Sequence, residues 1–151
     1  HLFLMGAAGI QLGTRFAISE ECNAHPAFKE AYIKAKARDA VSTPQFDSRL
    51  PVVAVRALRN HGLDAFGKLQ LDLIGQLDGQ TIHRNDAQIK VEEFWMGRLR
   101  DAVMDGDIEN GSLMAGQSVG LVDRVMPVQE IMDELVRETE EELQRVRGKL
   151  A

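Results

Sequence analysis

The sequence predicts an α/β fold that is rich in helices and has few strands. Two stretches, residues 86–105 and 127–148, carry apolar side chains every three or four positions, which is the spacing of a helix with one buried face. Three shorter stretches, residues 9–12, 40–43 and 52–58, are rich in apolar or β-branched residues and adjoin Gly or Pro, as strands do. Short strands therefore alternate with longer helices along the chain.

The composition excludes several classes of protein. A net charge of −5 argues against a nucleic-acid surface, which needs clustered Lys and Arg. Cys22 is the single cysteine, which leaves no internal disulfide and no Cys-based metal site and is typical of a reducing compartment. No apolar run approaches the roughly 18 residues of a membrane span, and the start of the chain lacks the features of a signal peptide. We therefore expect a soluble cytoplasmic protein with no nucleic-acid or membrane partner and no metal.

The first segment contains a candidate anion site. A buried strand is predicted over residues 9–12, followed by Gly13 and Thr14 and by a helical stretch over residues 17–21. Glycine lets an oxyanion approach the backbone, a hydroxyl can donate to it, and the free amides at a helix start point outward. The spacing alone favours a plain strand-to-helix turn, because one Gly-Thr pair is a weak signal for a phosphate cradle.

A helix is expected to begin at Pro26 and to end near Ala37, because proline is tolerated in the first helical turn. Asn23 is the candidate N-cap of this helix. We interpret His25 as a helix-start residue rather than a ligand, because no partner at metal-ligand spacing accompanies it.

Two strands follow, at residues 40–43 and 52–58. In the second one Val53, Val55 and Ala57 should share one face, as the period of two requires.

The second half of the chain is predicted to be helical. Residues 62–79 have helical spacing, although two glycines weaken it. In the helix over residues 86–105, Trp95 is expected to pack rather than to line a pocket. Ser112 is a candidate cap for a helix whose first turn is small and apolar. The stretch at residues 127–148 is the last helix.

Several motifs resemble one enzyme family. Residues 9–16 (GIQLGTRF) and 20–26 (EECNAHP) resemble the last-strand motif of the nitronate monooxygenase (2-nitropropane dioxygenase) family of FMN-dependent (β/α)8 barrels. Residues 54–60 (AVRALRN) and 111–122 (GSLMAGQSVGLV) agree with this family in the same order, and the similarity runs over about residues 3–125. The NAHP segment is most similar to the flavin-dependent enoyl-[acyl-carrier-protein] reductase II branch.

The resemblance implies that the chain is the C-terminal part of a (β/α)8 (TIM) barrel with an inserted small α/β subdomain. A whole barrel needs about 250 residues, and this chain has 151. On this interpretation residues 1–23 are the last barrel strand and the FMN-phosphate loop, and residues 24–110 are the small α/β subdomain. Residues 111–151 would then be return helices that pack on the barrel.

The resemblance also assigns binding roles. The residues that match the family's FMN-phosphate motif are Gln11, Leu12, Gly13 and Thr14. The residues that would form a wall of the substrate pocket are Met114, Ala115 and Gly116, although spacing alone favours helix packing for them. No residue of this chain is assigned a catalytic role, because the family's active-site histidine would lie in the other half of the barrel.

Three functions stay open. The first is an FMN-dependent enoyl-[acyl-carrier-protein] reductase of fatty-acid synthesis, a homodimer that uses NAD(P)H and an acyl-carrier-protein-linked enoyl thioester, with this part alone inactive. The second is a nitronate monooxygenase or related FMN oxidoreductase that acts on a small nitroalkane. The third is a non-enzymatic helical interaction module that uses the last amphipathic helix. The residues themselves form no nucleophile–base set, Walker loop or GxGxxG fingerprint.

Overall fold

The computed structural model describes residues 2–150, so His1 and Ala151, the outer limits of the first and last predicted segments, lie outside it. Within this range the helices and strands in chain order are α1 (Pro26–Lys34), β1 (Ala40–Ser42), β2 (Arg56–Leu58), α2 (His61–Asp78), α3 (Arg84–Trp95), α4 (Arg98–Val103) and α5 (Val128–Leu150). Short 3-10 turns lie at Phe3–Met5, Phe16–Ile18, Ala37–Asp39 and Gln117–Leu121. The expected helix-rich α/β composition is confirmed. The described residues do not themselves form a barrel.

A small sheet lies at the centre of the chain. β1 and β2 pair antiparallel, with Ala40 opposite Leu58. On its other edge β2 contacts a third extended segment, residues 113–115. Leu58 donates its N–H to the carbonyl of Leu113 at 2.9 Å, and the N–H of Ala115 donates to the carbonyl of Arg56 at 3.0 Å. The segment that precedes Gly116 is therefore held by the sheet.

The helix predicted after Ser112 is wrong, because these residues are extended. Small, apolar side chains fit the start of a helix, but here the open edge of β2 offers backbone hydrogen bonds to the segment. Only the short 3-10 turn from Gln117 to Leu121 follows. Residues 111–121, here called the return segment, are thus extended before they become helical.

The second strand is shorter than predicted. Thr43 still donates its N–H to the carbonyl of Val55 at 2.9 Å. The next residue is Pro44, which has no N–H, so the ladder ends there. Val53 lies outside β2 and is 80% exposed, whereas Ala57 is 1% exposed, so the predicted common face of these residues is not formed.

The buried strand predicted at residues 9–12 is also absent. These residues have no regular structure and no strand partner in the described part of the chain. Ile10 is 48% exposed and Leu12 is 40% exposed. A strand needs a neighbour to satisfy its backbone groups, and β1 and β2 pair elsewhere. The helical stretch expected at residues 17–21 is reduced to the 3-10 turn Phe16–Ile18.

The helices were predicted more accurately than the strands. The Nδ1 atom of His25 accepts a hydrogen bond of 3.1 Å from the N–H of Ala27 and so caps α1. This confirms the helix-start role of His25, whereas the capping role of Asn23 is wrong. α1 ends at Lys34 rather than near Ala37. α2 and α5 lie where the spacing placed them.

The helix predicted over residues 86–105 is divided into α3 and α4. Gly97 has a φ of +90°, a left-handed conformation that ends the first helix, and α4 begins directly after it.

Two apolar clusters form the core. The first packs α1 against the sheet and the return segment, and its members include Phe28, Tyr32, Leu58, Leu113, Ala115 and Val119. The second lies between α2 and α3, where the ring of Trp95 stacks on that of Phe66 with 4.8 Å between centroids. The predicted packing role of Trp95 is confirmed. The first cluster contains residues from all three predicted domains, 1–23, 24–110 and 111–151. The boundaries of these domains stay predictions.

Two features are absent from residues 2–150. None of the helices combines the length and the apolar character that crossing a membrane requires. No group of three or more His, Cys, Asp or Glu side chains is placed to hold a metal ion.

The turn between α4 and the return segment packs tightly on the start of α2. The side-chain amide of Asn60 donates to the carbonyls of Ile108 and Gly111, each at 2.8 Å. The N–H of Gly62 donates to the carbonyl of Glu109 at 2.9 Å. A Cβ on Gly62 would lie only 2.1 Å from a backbone oxygen of this turn. This contact therefore requires glycine.

We predict that Gly62→Ala lowers the free energy of unfolding by about 2–3 kcal/mol, because backbone must move to admit the methyl group. Gly75→Ala, in the same helix, is the matched control, because a Cβ there meets nothing within 4 Å. The control should raise stability by about 0.5–1 kcal/mol. Urea unfolding of the purified protein measures both, and equal shifts in the two variants would contradict the tight contact.

Candidate functional site

The segments that the sequence assigned to the cofactor and to the substrate lie in contact. The N–H of Gly116 donates a hydrogen bond of 3.1 Å to the hydroxyl oxygen of Thr14, across 102 positions of sequence. A Cβ on Gly116 would lie 3.6 Å from the same oxygen, which is an ordinary contact. The fold therefore joins the two predicted segments, while their binding roles stay predictions.

The residues around Gly13 offer the donors that an oxyanion needs. Thr14 accepts from Gly116, so its own hydroxyl proton is left for another partner. The N–H groups of Gly13, Thr14 and Arg15 donate to no protein acceptor within residues 2–150. A Cβ on Gly13 would meet no atom within 4 Å, so the space beside this glycine is open. These residues fit one half of a phosphate site, as the family resemblance implies for FMN.

Thr14 also lines a cleft of about 410 Å³. Its lining includes the four residues predicted for FMN binding, Gln11, Leu12, Gly13 and Thr14, together with residues 121–124 and one face of α5. Gln11, Leu12 and Gly13 are exposed, and Thr14 is half-buried. The structure thus brings the predicted cofactor residues together at one accessible surface.

The charged groups of this cleft are mostly paired within the protein. Arg15 contacts Glu134 at 3.1 Å, and Arg124 contacts Asp123 at 3.1 Å and Glu134 at 3.2 Å. Glu138 adds a further carboxylate to the lining. Since both guanidinium groups are engaged, an anion in the cleft would depend on neutral N–H and O–H donors. This is the mode of phosphate binding that free backbone amides provide.

The predicted substrate residues divide between the surface and the core. The side chain of Met114 is 37% exposed, whereas Ala115 is 3% exposed and belongs to the first apolar cluster. The backbone of Met114 is fixed, because its carbonyl accepts a hydrogen bond from the buried hydroxyl of Tyr32. Burial raises the pKa of that hydroxyl, and nearby Cys22 raises it further. The hydroxyl of Tyr32 therefore keeps its proton, and its bond to Met114, further into the alkaline range than an exposed tyrosine would.

Several residues around the cleft were not found from the sequence. Arg15 belongs to the family motif but received no role, and Glu134 was one acidic residue among many on the last helix. The Arg15–Glu134 pair spans 119 positions, and no local pattern connects residues so far apart.

Comparison with known proteins identifies the class of this chain. The sequence model of the nitronate monooxygenase family matches residues 1–138, most of the 151 residues. The chain therefore belongs to the nitronate monooxygenase family, and the resemblance inferred from the sequence is confirmed.

Solved structures add a more specific similarity. The chain is similar to FabK from Thermotoga maritima, with a TM-score of 0.76 and 34% sequence identity over 97% of this chain and 41% of FabK. A mutant of the same protein matches with a TM-score of 0.69 and 32% identity, over 97% of this chain and 38% of that one. The chain therefore spans about two fifths of the length of FabK.

Proposed function

We propose that this chain is part of an FMN-dependent oxidoreductase that reduces an enoyl thioester carried by an acyl carrier protein, with NAD(P)H as the reductant. Family membership and the similarity to FabK, a flavin-dependent enoyl-[acyl-carrier-protein] reductase II, support this proposal. The observation that carries it is the hydrogen bond between Thr14 and Gly116. This bond brings the predicted cofactor segment and the predicted substrate segment to one place.

The contribution of the chain to cofactor binding would be the grip on the phosphate. Gly13 and Thr14 would donate to phosphate oxygens through their N–H groups and the Thr14 hydroxyl. When bound, FMN supplies the hydride-transfer chemistry of such enzymes. The histidines within the described residues have no catalytic assignment, and His25 already serves as the cap of α1. The role of this chain would therefore be to bind and orient FMN. The proton donor is assigned to none of its residues.

The return segment would form part of the substrate wall. The exposed side chain of Met114 is flexible and apolar, which suits an acyl group of variable length. Gly116 joins this wall to Thr14 through its N–H. Ala115 is buried and would support the wall from behind rather than contact the acyl group.

A nitronate monooxygenase is the second candidate, because the matching family model bears that description. The test uses the full-length protein purified with its flavin. We predict NAD(P)H oxidation that depends on crotonyl thioester and exceeds oxygen uptake with an alkyl nitronate. Oxygen uptake with the nitronate and no reduction of the thioester would favour the second candidate instead. A colourless protein with neither activity would exclude both and favour an interaction module.

We predict that Thr14→Val in the full-length protein lowers its flavin content. The variant loses the hydroxyl donor to the phosphate, and a hydrogen bond to a charged group contributes about 1.5–3 kcal/mol. The expected loss of FMN affinity is therefore about ten- to a hundredfold. Thr14→Ser is the control, because it retains the hydroxyl. Absorbance near the flavin maximum, measured against protein concentration, reports the content, and an undiminished yellow Val variant would remove Thr14 from the site.

We predict that Met114→Ala changes the preference among acyl chain lengths. Removal of the flexible side chain should lower kcat/KM about five- to a hundredfold for the best acyl group, since burial of a large apolar side chain contributes about 1–3 kcal/mol. Longer acyl groups should lose less. Met96→Ala is the control, because Met96 is 75% exposed and follows α3, beside the other apolar cluster. Identical profiles of kcat/KM against chain length would show that Met114 lies outside the pocket.

A further inference from the structure

We propose that α5 positions the phosphate-binding residues through two contacts, the Arg15–Glu134 ion pair and the Glu21 cap on α5. Residues 13–15 are here called the phosphate segment. The inference rests on the proposed function, because it concerns how the same site is held in place. Arg15, Glu21 and Glu134 are thus positioning residues, and none of them is expected to touch the reacting atoms.

The first contact begins one residue after Thr14. The guanidinium of Arg15 donates to the carboxylate of Glu134 at 3.1 Å, to the carbonyl of Arg124 at 3.2 Å and to the sulfur of Met126 at 2.8 Å. The side chains of Arg15 and Glu134 are only 16% and 23% exposed. A pair so shielded from water is screened less than a surface pair. The guanidinium of Arg15 is therefore held against α5 and the residues just before it, and its charge is paired within the protein.

Glu134 is held from its other side as well. Its second carboxylate oxygen accepts from Arg124 at 3.2 Å, and Arg124 also contacts Asp123 at 3.1 Å. The carboxylate between two guanidinium groups has little freedom to rotate. Arg15 thus has a doubly paired acceptor on α5, in the second turn of that helix.

The second contact is made by Glu21, at the other end of the loop formed by residues 15–21. Both carboxylate oxygens of Glu21 lie 2.9 Å from the N–H of Val128, the first residue of α5. A carboxylate there satisfies a free helix amide and interacts favourably with the helix dipole. The N–H of Glu20 also donates to the carbonyl of Met126 at 3.0 Å. Residues 15–21 are therefore attached to α5 at both ends.

The consequence for binding follows from the chemistry of the donors. Backbone amides bind an oxyanion only where several N–H groups converge on it, and a displacement of about 1 Å loses much of the interaction. Because the phosphate segment has no regular structure of its own, its geometry depends on attachments outside it. Gly116 fixes Thr14 on one side, and α5 fixes Arg15 on the other.

The experiment compares two flavins on the apo form of the full-length protein. FMN carries the phosphate and riboflavin lacks it, so their dissociation constants separate the grip on the phosphate from the rest of the site. We expect Arg15→Met and Glu134→Gln each to weaken FMN binding about five- to tenfold, since each leaves a partly buried charge without its partner. Riboflavin binding should change less than about twofold. Quenching of flavin fluorescence measures both constants.

Matched controls come from neighbouring residues. Arg137→Met breaks an exposed ion pair with Glu141 on the same helix and should leave both constants unchanged. Glu21→Ala should weaken FMN binding, whereas Glu20→Ala should not, because the structure shows no hydrogen bond or ion pair from the Glu20 side chain within residues 2–150. In the double variant of Arg15→Met and Glu134→Gln, the two losses should not add, because both remove one contact.

The outcomes separate this inference from the proposed function. If the wild-type protein binds neither flavin, the proposed function fails and the inference fails with it. If the wild-type protein binds FMN and the Arg15 and Glu134 variants match Arg137→Met, only the positioning inference is overturned. Equal weakening of FMN and riboflavin would also overturn it, since that is the result of general destabilisation. Selective weakening of FMN supports it.

Discussion

The organisation of the candidate site depends on one hydrogen bond, from the N–H of Gly116 to the hydroxyl of Thr14. On one side of it lies an irregular segment, and on the other lies a segment held by the sheet. The N–H of Ala115 bonds to β2, and Tyr32 bonds to the carbonyl of Met114. The sheet-bound residues 113–116 therefore hold the irregular segment around Thr14 in position. This bond is the direct link between the predicted cofactor residues and the predicted substrate residues, and the contacts of Arg15 and Glu21 with α5 add to it.

The sequence predicted the parts of the fold that local interactions decide. Helix α2 begins after Asn60, whose side chain accepts from the N–H of Leu63, and α5 follows from an apolar stripe. Capping and periodicity involve residues within a few positions of each other, so a short stretch of sequence is enough to recognise them. The role of His25 at the start of α1 was predictable for the same reason. The break at Gly97 was not, because a single glycine within a helical pattern is often tolerated.

The strands were less predictable, because a strand is defined by its partner. Residues 9–12 have apolar side chains but no neighbour to pair with in the described chain, and so they are irregular and exposed. Residues 113–115 have no clear strand pattern, yet the open edge of β2 makes them extended. The position of Pro44 decided where the ladder between β1 and β2 ends. Of these three features, only the end of the ladder at Pro44 follows from the sequence, and it follows only when the register of β1 and β2 is known.

The candidate site residues could be proposed from the sequence, whereas the residues that contact them across the fold could not. A motif such as GIQLGTRF marks residues that share a local role, and it included Arg15 without revealing what Arg15 does. In the structure the guanidinium of Arg15 forms an ion pair with Glu134, more than a hundred positions away. The guanidinium of Arg15 is therefore paired within the protein. The N–H groups of Gly13 and Thr14 donate to no protein acceptor within residues 2–150, so they are available to an anion. In the proposed site the neutral donors would bind the phosphate, while the pairing of Arg15 with Glu134 and of Arg124 with Asp123 would hold the surrounding loop.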